Sequence, residues 1–231
     1  MWRQNRRLYG RRQGHQLRPH QAALVQTLLP RVALGLDEPF DPGSSFGADP
    51  DIWLEIGFGA GEHLSVQAAA HPDVCLIGCE PYLNGVASLL ARIEREGLSN
   101  IRILKGDARD LLDVLAPATL ARAFLLFPDP WPKTRHHRRR FISAETLDRL
   151  AVVLKDGAEF RVATDIDDYC AWTLAHVTAH AGFEWCARGP QDWRVRPDDW
   201  PETRYERKAK AAGRSCVYLT FRRRSRGAPP C

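Results

Sequence analysis

Seven consecutive residues, Glu55 to Gly61, read EIGFGAG and combine a carboxylate with three closely spaced glycines. Glycines at such spacing let the backbone turn sharply and pass close to a ligand before a helix opens. A dinucleotide site wants G-x-G-x-x-G, with the pyrophosphate on the helix N-terminus. Here Gly57, Gly59 and Gly61 are spaced G-x-G-x-G, and Glu55 stands two residues ahead of them. An anionic side chain beside a pyrophosphate is unfavourable, whereas beside a sulfonium and an ammonium it is favourable. The turn therefore points to a cationic nucleoside cofactor, S-adenosyl-L-methionine. Two further acids support it. Glu80 closes the next apolar run and is placed to accept from ribose hydroxyls, as the acid after the second strand does in nucleotide sites. Asp107, in the GDA at 106–108, is placed to meet an adenine amino group.

The second chemical segment is FPDPWPKTRHHRRRF, residues 127–141. Pro128, Pro130 and Pro132 fix their own φ angles and prevent helix, so Asp129, Trp131 and Lys133 are presented in a stiff, preset geometry. An aromatic ring next to an acid suits a flat base, through stacking and acceptance from ring N–H groups. Lys133 and the arginines after it suit phosphates. Two more basic clusters occur: residues 1–20 hold six arginines and no acid, and Arg204–Arg226 holds nine Lys or Arg against one Glu. Several clusters able to neutralise phosphates together favour a polyanionic partner. Metal-ligand spacing is missing: the six cysteines form no C-x-x-C pair, so buried free thiols are expected and no metal site.

These residues need a scaffold that brings them to one side. From Asp51 apolar runs alternate with helical patterns: IWLEIGF, VCLIGCE, IRILKGD, AFLLFPD and AEFRVATD read as strands. Helices are expected at Gly61–His71 before Pro72, at Leu83–Glu96 ending at Gly97, from Ser143 to a stop at Gly157, and around Cys170–Ala181. FEWCA and SCVYLTFRR read as late strands with an antiparallel edge. Such alternation implies an α/β fold with a mostly parallel sheet covered by helices on both faces. In it Glu55, Glu80, Asp107, Asp129 and Asp165 fall at five strand ends, where ligands of doubly wound sheets bind. An earlier helix is expected over residues 21–36, bent or ended by Pro30, and Pro39–Pro50 reads as a linker. Thr203 and Glu206 fit a capping box, T-x-x-E, opening a helix over Tyr205–Ala212. The organisation expected is a flexible basic arm at 1–20 and one domain at 21–231, its core at about 51–224.

Composition agrees with a globular protein at 44% hydrophobic and 26% charged residues, with net charge +5. No apolar run is long enough to span a membrane. The basic start lacks the apolar core of a secretory signal, and a cytoplasmic location is expected.

On EIGFGAG (55–61), GCE (78–80), GDA (106–108), FPDPWPKTRHHRRR (127–140), ATD (163–165) and TRYE (203–206), the chain resembles the single-chain bacterial tRNA (guanine-N7)-methyltransferases. The resemblance runs from about Gly10 to Arg222. It implies a Rossmann-like S-adenosylmethionine-dependent fold with a seven-stranded sheet, and methyl transfer to N7 of a guanosine in the variable loop of tRNA, with no obligate protein partner. It implies cofactor contacts at Glu55, Glu80, Asp107 and Asp129, with Asp129 also the catalytic residue. Substrate contacts are implied at Lys133, Asp165, Thr203, Arg204, Tyr205 and Glu206. The chain departs from the family pattern at Pro81 and Tyr82, at Ile166, and in RKAKAAGRS after Glu206. Other readings stay open on the residues alone: a nicotinamide-dependent oxidoreductase, a methyltransferase for another base or a small molecule, and a non-catalytic RNA-binding module.

Overall fold

The computed structural model describes residue 9, residues 12–36 and residues 50–227. The expected linker lies outside them except for Pro50, as do residues 1–8, 10 and 11 of the expected arm. Among the described residues seven strands form one mixed sheet, and the chain divides into two compact units, Met1–Leu115 and Ala116–Cys231.

In the first unit, β1 (Ile52–Ile56), β2 (Cys75–Cys79) and β3 (Ile101–Leu104) pair in parallel, with Leu54 opposite Ile77 and Glu55 opposite Gly78. Every residue of β1 and β2 is buried, the signature of parallel strands covered on both faces. The helices are α1 (Pro19–Thr27), α2 (Leu29–Val32), α3 (Glu62–Ala70), α4 (Leu83–Glu96) and α5 (Ala108–Leu112). Helix α4 forms where its apolar stripe predicts: Val86, Leu89, Leu90 and Ile93 are buried on one face. It ends because Gly97 adopts φ 63° and donates its N–H back to the last turn.

The helix expected over residues 21–36 is two short helices broken at Leu28. Pro30 starts the second rather than ending the first, since a proline in a first turn lacks only an N–H that has no helical partner anyway. Ahead of α1, Arg12–His15 is tied to the start of α4. Leu83 N–H donates to the Arg12 carbonyl (2.9 Å), Gly14 N–H to Asn84 Oδ1 (2.8 Å), and Asn84 Nδ2–H to the His15 carbonyl (2.8 Å).

The second unit holds β4 (Leu120–Leu126), α6 (Ala144–Val153), β5 (Leu154–Thr164), α7 (Asp167–Thr178), β6 (Phe183–Trp185), α8 (Gln191–Arg194), α9 (Arg204–Ala211) and β7 (Val217–Arg223). Ser143 caps α6 as expected, and Thr146 completes the reciprocal box by accepting from the Ser143 N–H. Gly157 does not close that helix. Leu154 is already extended (φ −73°, ψ 138°), so the chain passes straight into β5 and Gly157 lies within the strand at φ 79°. Helix α7 starts at Asp167, earlier than its apolar residues suggest, because Asp167 and Asp168 suit a first turn.

Strand order is β3-β2-β1-β4-β5-β7-β6. β4 and β5 run parallel, and β7 is antiparallel to both β5 and β6, which gives the antiparallel edge. Phe160, Phe183 and Phe221 meet in that edge's core.

Candidate active site

The glycine turn is built as its spacing requires. Gly57, Gly59 and Gly61 have φ of 71°, 57° and 74°, values that residues with a Cβ rarely adopt. Gly61 is the N-cap of α3, and a Cβ there would meet Leu89 Cδ1 at 2.5 Å. On α4, a Cβ at Gly85 would meet the Gly59 carbonyl oxygen at 2.2 Å, so the turn and the helix touch backbone to backbone. That approach leaves no space for a side chain behind the turn.

Glu55, at the end of β1, is 3% exposed. His63 Nδ1 lies 2.7 Å from its Oε2, and since a carboxylate only accepts, Nδ1 carries the proton. His63 is in turn 3.4 Å from Gln67 Nε2, so three buried polar residues form a chain behind the turn. No other hydrogen bond among the described residues engages the Glu55 side chain. Glu80 is 8% exposed and binds the same turn: Oε2 accepts from Gly59 N–H and Oε1 from Tyr82 N–H, both at 2.9 Å. Asp107 caps α5 by accepting from Arg109 N–H (3.0 Å), and the Arg109 guanidinium grips the same carboxylate. Two acids therefore stand at the glycine turn, Glu55 behind it and Glu80 hydrogen-bonded to it, and no Lys or Arg is paired with Glu55 among the described residues.

Burial pushes the Cys75 thiol on β2 up to about 12 and raises that of Cys79, on the same strand, well above its ordinary value. Both remain thiols, without thiolate chemistry at neutral pH. Among the described residues no group of three or more His, Cys, Asp or Glu gathers to hold a metal ion.

In the second unit the proline segment leaves β4 through two residues in the left-handed region, Phe127 (φ 49°) and Trp131 (φ 43°), which bracket Asp129. Such conformations cost a non-glycine residue on the order of 1 kcal/mol or more and persist only where the surroundings impose them. Asp129 is exposed, with no hydrogen-bond partner among the described residues. Lys133 is exposed at the N-cap of a 3-10 helix, Thr134–Arg139, in which the basic run is wound. Trp131 is covered by Arg139, whose guanidinium carbon lies 4.8 Å from the ring centroid, and meets His136 edge-on. The His136 imidazole is held below its ordinary range by desolvation and by Arg139, Arg135, Lys133 and Arg138 around it.

Asp165 follows β5 and pairs with Arg214 Nε at 2.6 Å. Thr203 Oγ1 caps α9 by accepting from Glu206 N–H (3.3 Å), which is half of the expected box. Glu206 does not return to Thr203. It is 1% exposed and accepts from the Tyr218 hydroxyl (2.7 Å), with Lys210 Nζ at 2.6 Å and Arg196 Nε at 3.2 Å. Burial, and next the hydrogen bond to Glu206, raise the Tyr218 phenol above its usual range. Arg204 and Tyr205, both exposed, stack on one another at 4.9 Å.

His63, Arg109 and Tyr218 were not singled out by sequence, and Arg140 and Arg214 were read there only as members of basic clusters. Only Arg109 carries a local signal, two residues after Asp107; the others reach their partners through the fold.

A family model described as "Putative methyltransferase" matches residues 49–219. A tRNA (guanine-N(7)-)-methyltransferase of Jannaschia sp. (strain CCS1) is 51% identical over 96% of this chain and 97% of its own length. One of the same name from Rhodospirillum rubrum is 53% identical over 97% of this chain and 90% of its own. Among solved structures, the 16S rRNA methyltransferase KamB superposes with a TM-score of 0.59 at 20% identity, covering 80% of this chain and 91% of that one. The antibiotic-resistance methyltransferase Kmr gives 0.57 at 18% identity, covering 81% and 95%. At those identities the likeness is one of fold.

Proposed function

Because the chain belongs to the tRNA (guanine-N(7)-)-methyltransferase family, we propose that it transfers a methyl group from S-adenosyl-L-methionine to N7 of a guanosine in tRNA. The observation that carries this is identity of 51% across 96% of the chain, a span containing both the glycine turn and the Asp129–Arg140 segment. The methyl donor supplies an electrophilic carbon on a sulfonium.

In our reading Gly57, Gly59 and Gly61 give the donor a close backbone, Glu55 faces its cationic end and Glu80 its ribose. Asp107 meets the adenine amino group once Arg109 yields the carboxylate. Asp129 touches both the donor and the guanine edge. Lys133, Asp165 and the start of α9 at Thr203, Arg204 and Tyr205 take the nucleotides around the base. Glu206, buried as it is, serves by fixing α9 so that exposed Arg204 and Tyr205 face the RNA.

Guanine N7 has a lone pair and no proton, so no general base is required. A bond forms from N7 to the methyl carbon as the carbon–sulfur bond breaks, and the positive charge passes from sulfur to the base. Positioning supplies most of the acceleration, and an anionic Asp129 favours the charge that develops on the ring. Action in the cytoplasm, on tRNA and without an obligate protein partner, belongs to the same proposal, with residues 21–231 as one catalytic domain behind a basic arm. Among the described residues no helix is long and apolar enough to cross a membrane.

Unmodified bulk tRNA incubated with enzyme and donor, then digested to nucleosides for mass spectrometry, should yield 7-methylguanosine. Methylation elsewhere, or none, overturns the reading. Asp129→Asn should lower kcat by roughly a hundredfold; undiminished turnover would remove Asp129 from catalysis.

A further inference from the structure

We propose that Arg140 is a positioning residue for the Asp129–Trp131 turn and not one of the run's phosphate contacts. The last of the consecutive arginines is unlike its neighbours. Lys133, Arg135 and Arg138 are exposed, whereas the Arg140 side chain is 0% exposed. A guanidinium with no surface cannot reach a phosphate. Its nitrogens are turned inward instead. Nε donates to the Pro130 carbonyl at 2.9 Å, and Nη2 forms an ion pair with Asp168 in the first turn of α7. The plane lies over Trp172 at 4.8 Å and Tyr169 at 5.5 Å, and Trp172 is anchored by its own N–H to the Ile142 carbonyl (2.8 Å). Nη1 is buried without a hydrogen-bond partner, and contact with aromatic faces compensates such a cation in part.

The Pro130 carbonyl is the link that matters. It belongs to the peptide joining Asp129–Pro130 to Trp131, and Trp131 stands at φ 43° with Phe127 at 49° on the other side. Proline fixes its own φ but offers no N–H to hold the turn. A conformation that the backbone disfavours at both ends therefore needs an external tie, and Arg140 is the donor that reaches it. Through Asp168 the tie is continued to the rigid start of α7.

The proposal rests on the reading of Asp129 as the residue at the guanine edge, so Asp129→Asn is measured beside the test variants. In the full chain, Arg140→Lys keeps the cation but loses the forked geometry that serves Pro130 and Asp168 together. It should lower kcat about ten- to a hundredfold, well below its melting temperature and at saturating donor and tRNA. The slope of log Kd for tRNA against log salt should stay that of the wild type. Asp168→Ala, at an exposed carboxylate, should lower kcat in the same direction by a smaller factor, and Asp168→Glu should restore most of it.

Wild-type kcat in Arg140→Lys overturns the proposal. So does a salt slope reduced by about one, the mark of a lost phosphate contact. A lower melting temperature with kcat unchanged per folded molecule overturns it as well. If Arg140→Lys does not fold, wild-type kcat in Asp168→Ala decides against it. Full turnover by Asp129→Asn beside a slow Arg140→Lys would sink the guanine-edge reading alone; a slow Asp129→Asn beside a normal Arg140→Lys would sink the positioning alone.

Discussion

Four cations around one imidazole make His136 a reporter of what the basic run binds. Desolvation and the charges of Arg139, Arg135, Lys133 and Arg138 hold it below its ordinary range, so in the free protein it is unprotonated at neutral pH. Phosphates set against the run would reverse that field and raise the imidazole's pKa. The sign follows from linkage: a group that binds its proton more tightly in the complex strengthens binding as pH falls through the bound-state value, until the free protein is protonated too. Affinity for tRNA should therefore rise several-fold from about pH 8 to about pH 6, and His136→Asn should flatten that rise. Filter binding across this range at constant ionic strength measures it. A pH dependence identical in the variant would place His136 away from the phosphates. The same environment explains why sequence alone ranked His136 and Arg140 with their neighbours. Exposure and burial alternate along and just beyond one short 3-10 helix, and a run of like residues contains no pattern that tells them apart.

At the scale of elements the tight backbone constraint is the contact between α4 and the glycine turn. Helix propensity alone predicts that Gly85→Ala stabilises α4, by up to about 1 kcal/mol. Sterics predict the opposite, because the new Cβ would lie 2.2 Å from the Gly59 carbonyl, which is backbone and can move only with the turn. We expect sterics to win, with a net loss of about 1–3 kcal/mol in urea unfolding and weaker donor binding by calorimetry. A stabilised variant with wild-type donor affinity would mean that the turn is slack. The turn itself was legible in the sequence because three glycines at that spacing have few other uses. Helix α4 was legible because its stripe and its terminal Gly97 agree. Gly157 was not, since a left-handed glycine at a helix end and one inside a strand look alike until the next residue's ψ is known. The acids at the strand ends were likewise legible by type and place. Their partners were not: Arg214 lies 49 positions from Asp165, and only the sheet and α9 bring them together.

Over the whole chain the positive charge is uneven, and that is the scale at which RNA affinity is decided. Charge neutralisation at phosphates shows as the slope of log Kd against log salt, by about 0.7–0.9 for each phosphate engaged. Residues 1–11 carry Arg3, Arg6, Arg7 and Arg11, and Arg12–Gly14 is tied to Leu83 and Asn84. A deletion of residues 1–11 therefore removes four cations and spares the contacts that hold Arg12–His15 against α4. If the arm lies along the RNA, the deletion should reduce the slope by roughly 3–4 and weaken binding most at low salt. Donor affinity should stay where it is, since the glycine turn is not touched. Titration of labelled tRNA at four or five potassium chloride concentrations gives both slopes. Equal slopes for the two proteins would remove the arm from the interface and leave phosphate binding to the 133–140 and 204–226 clusters.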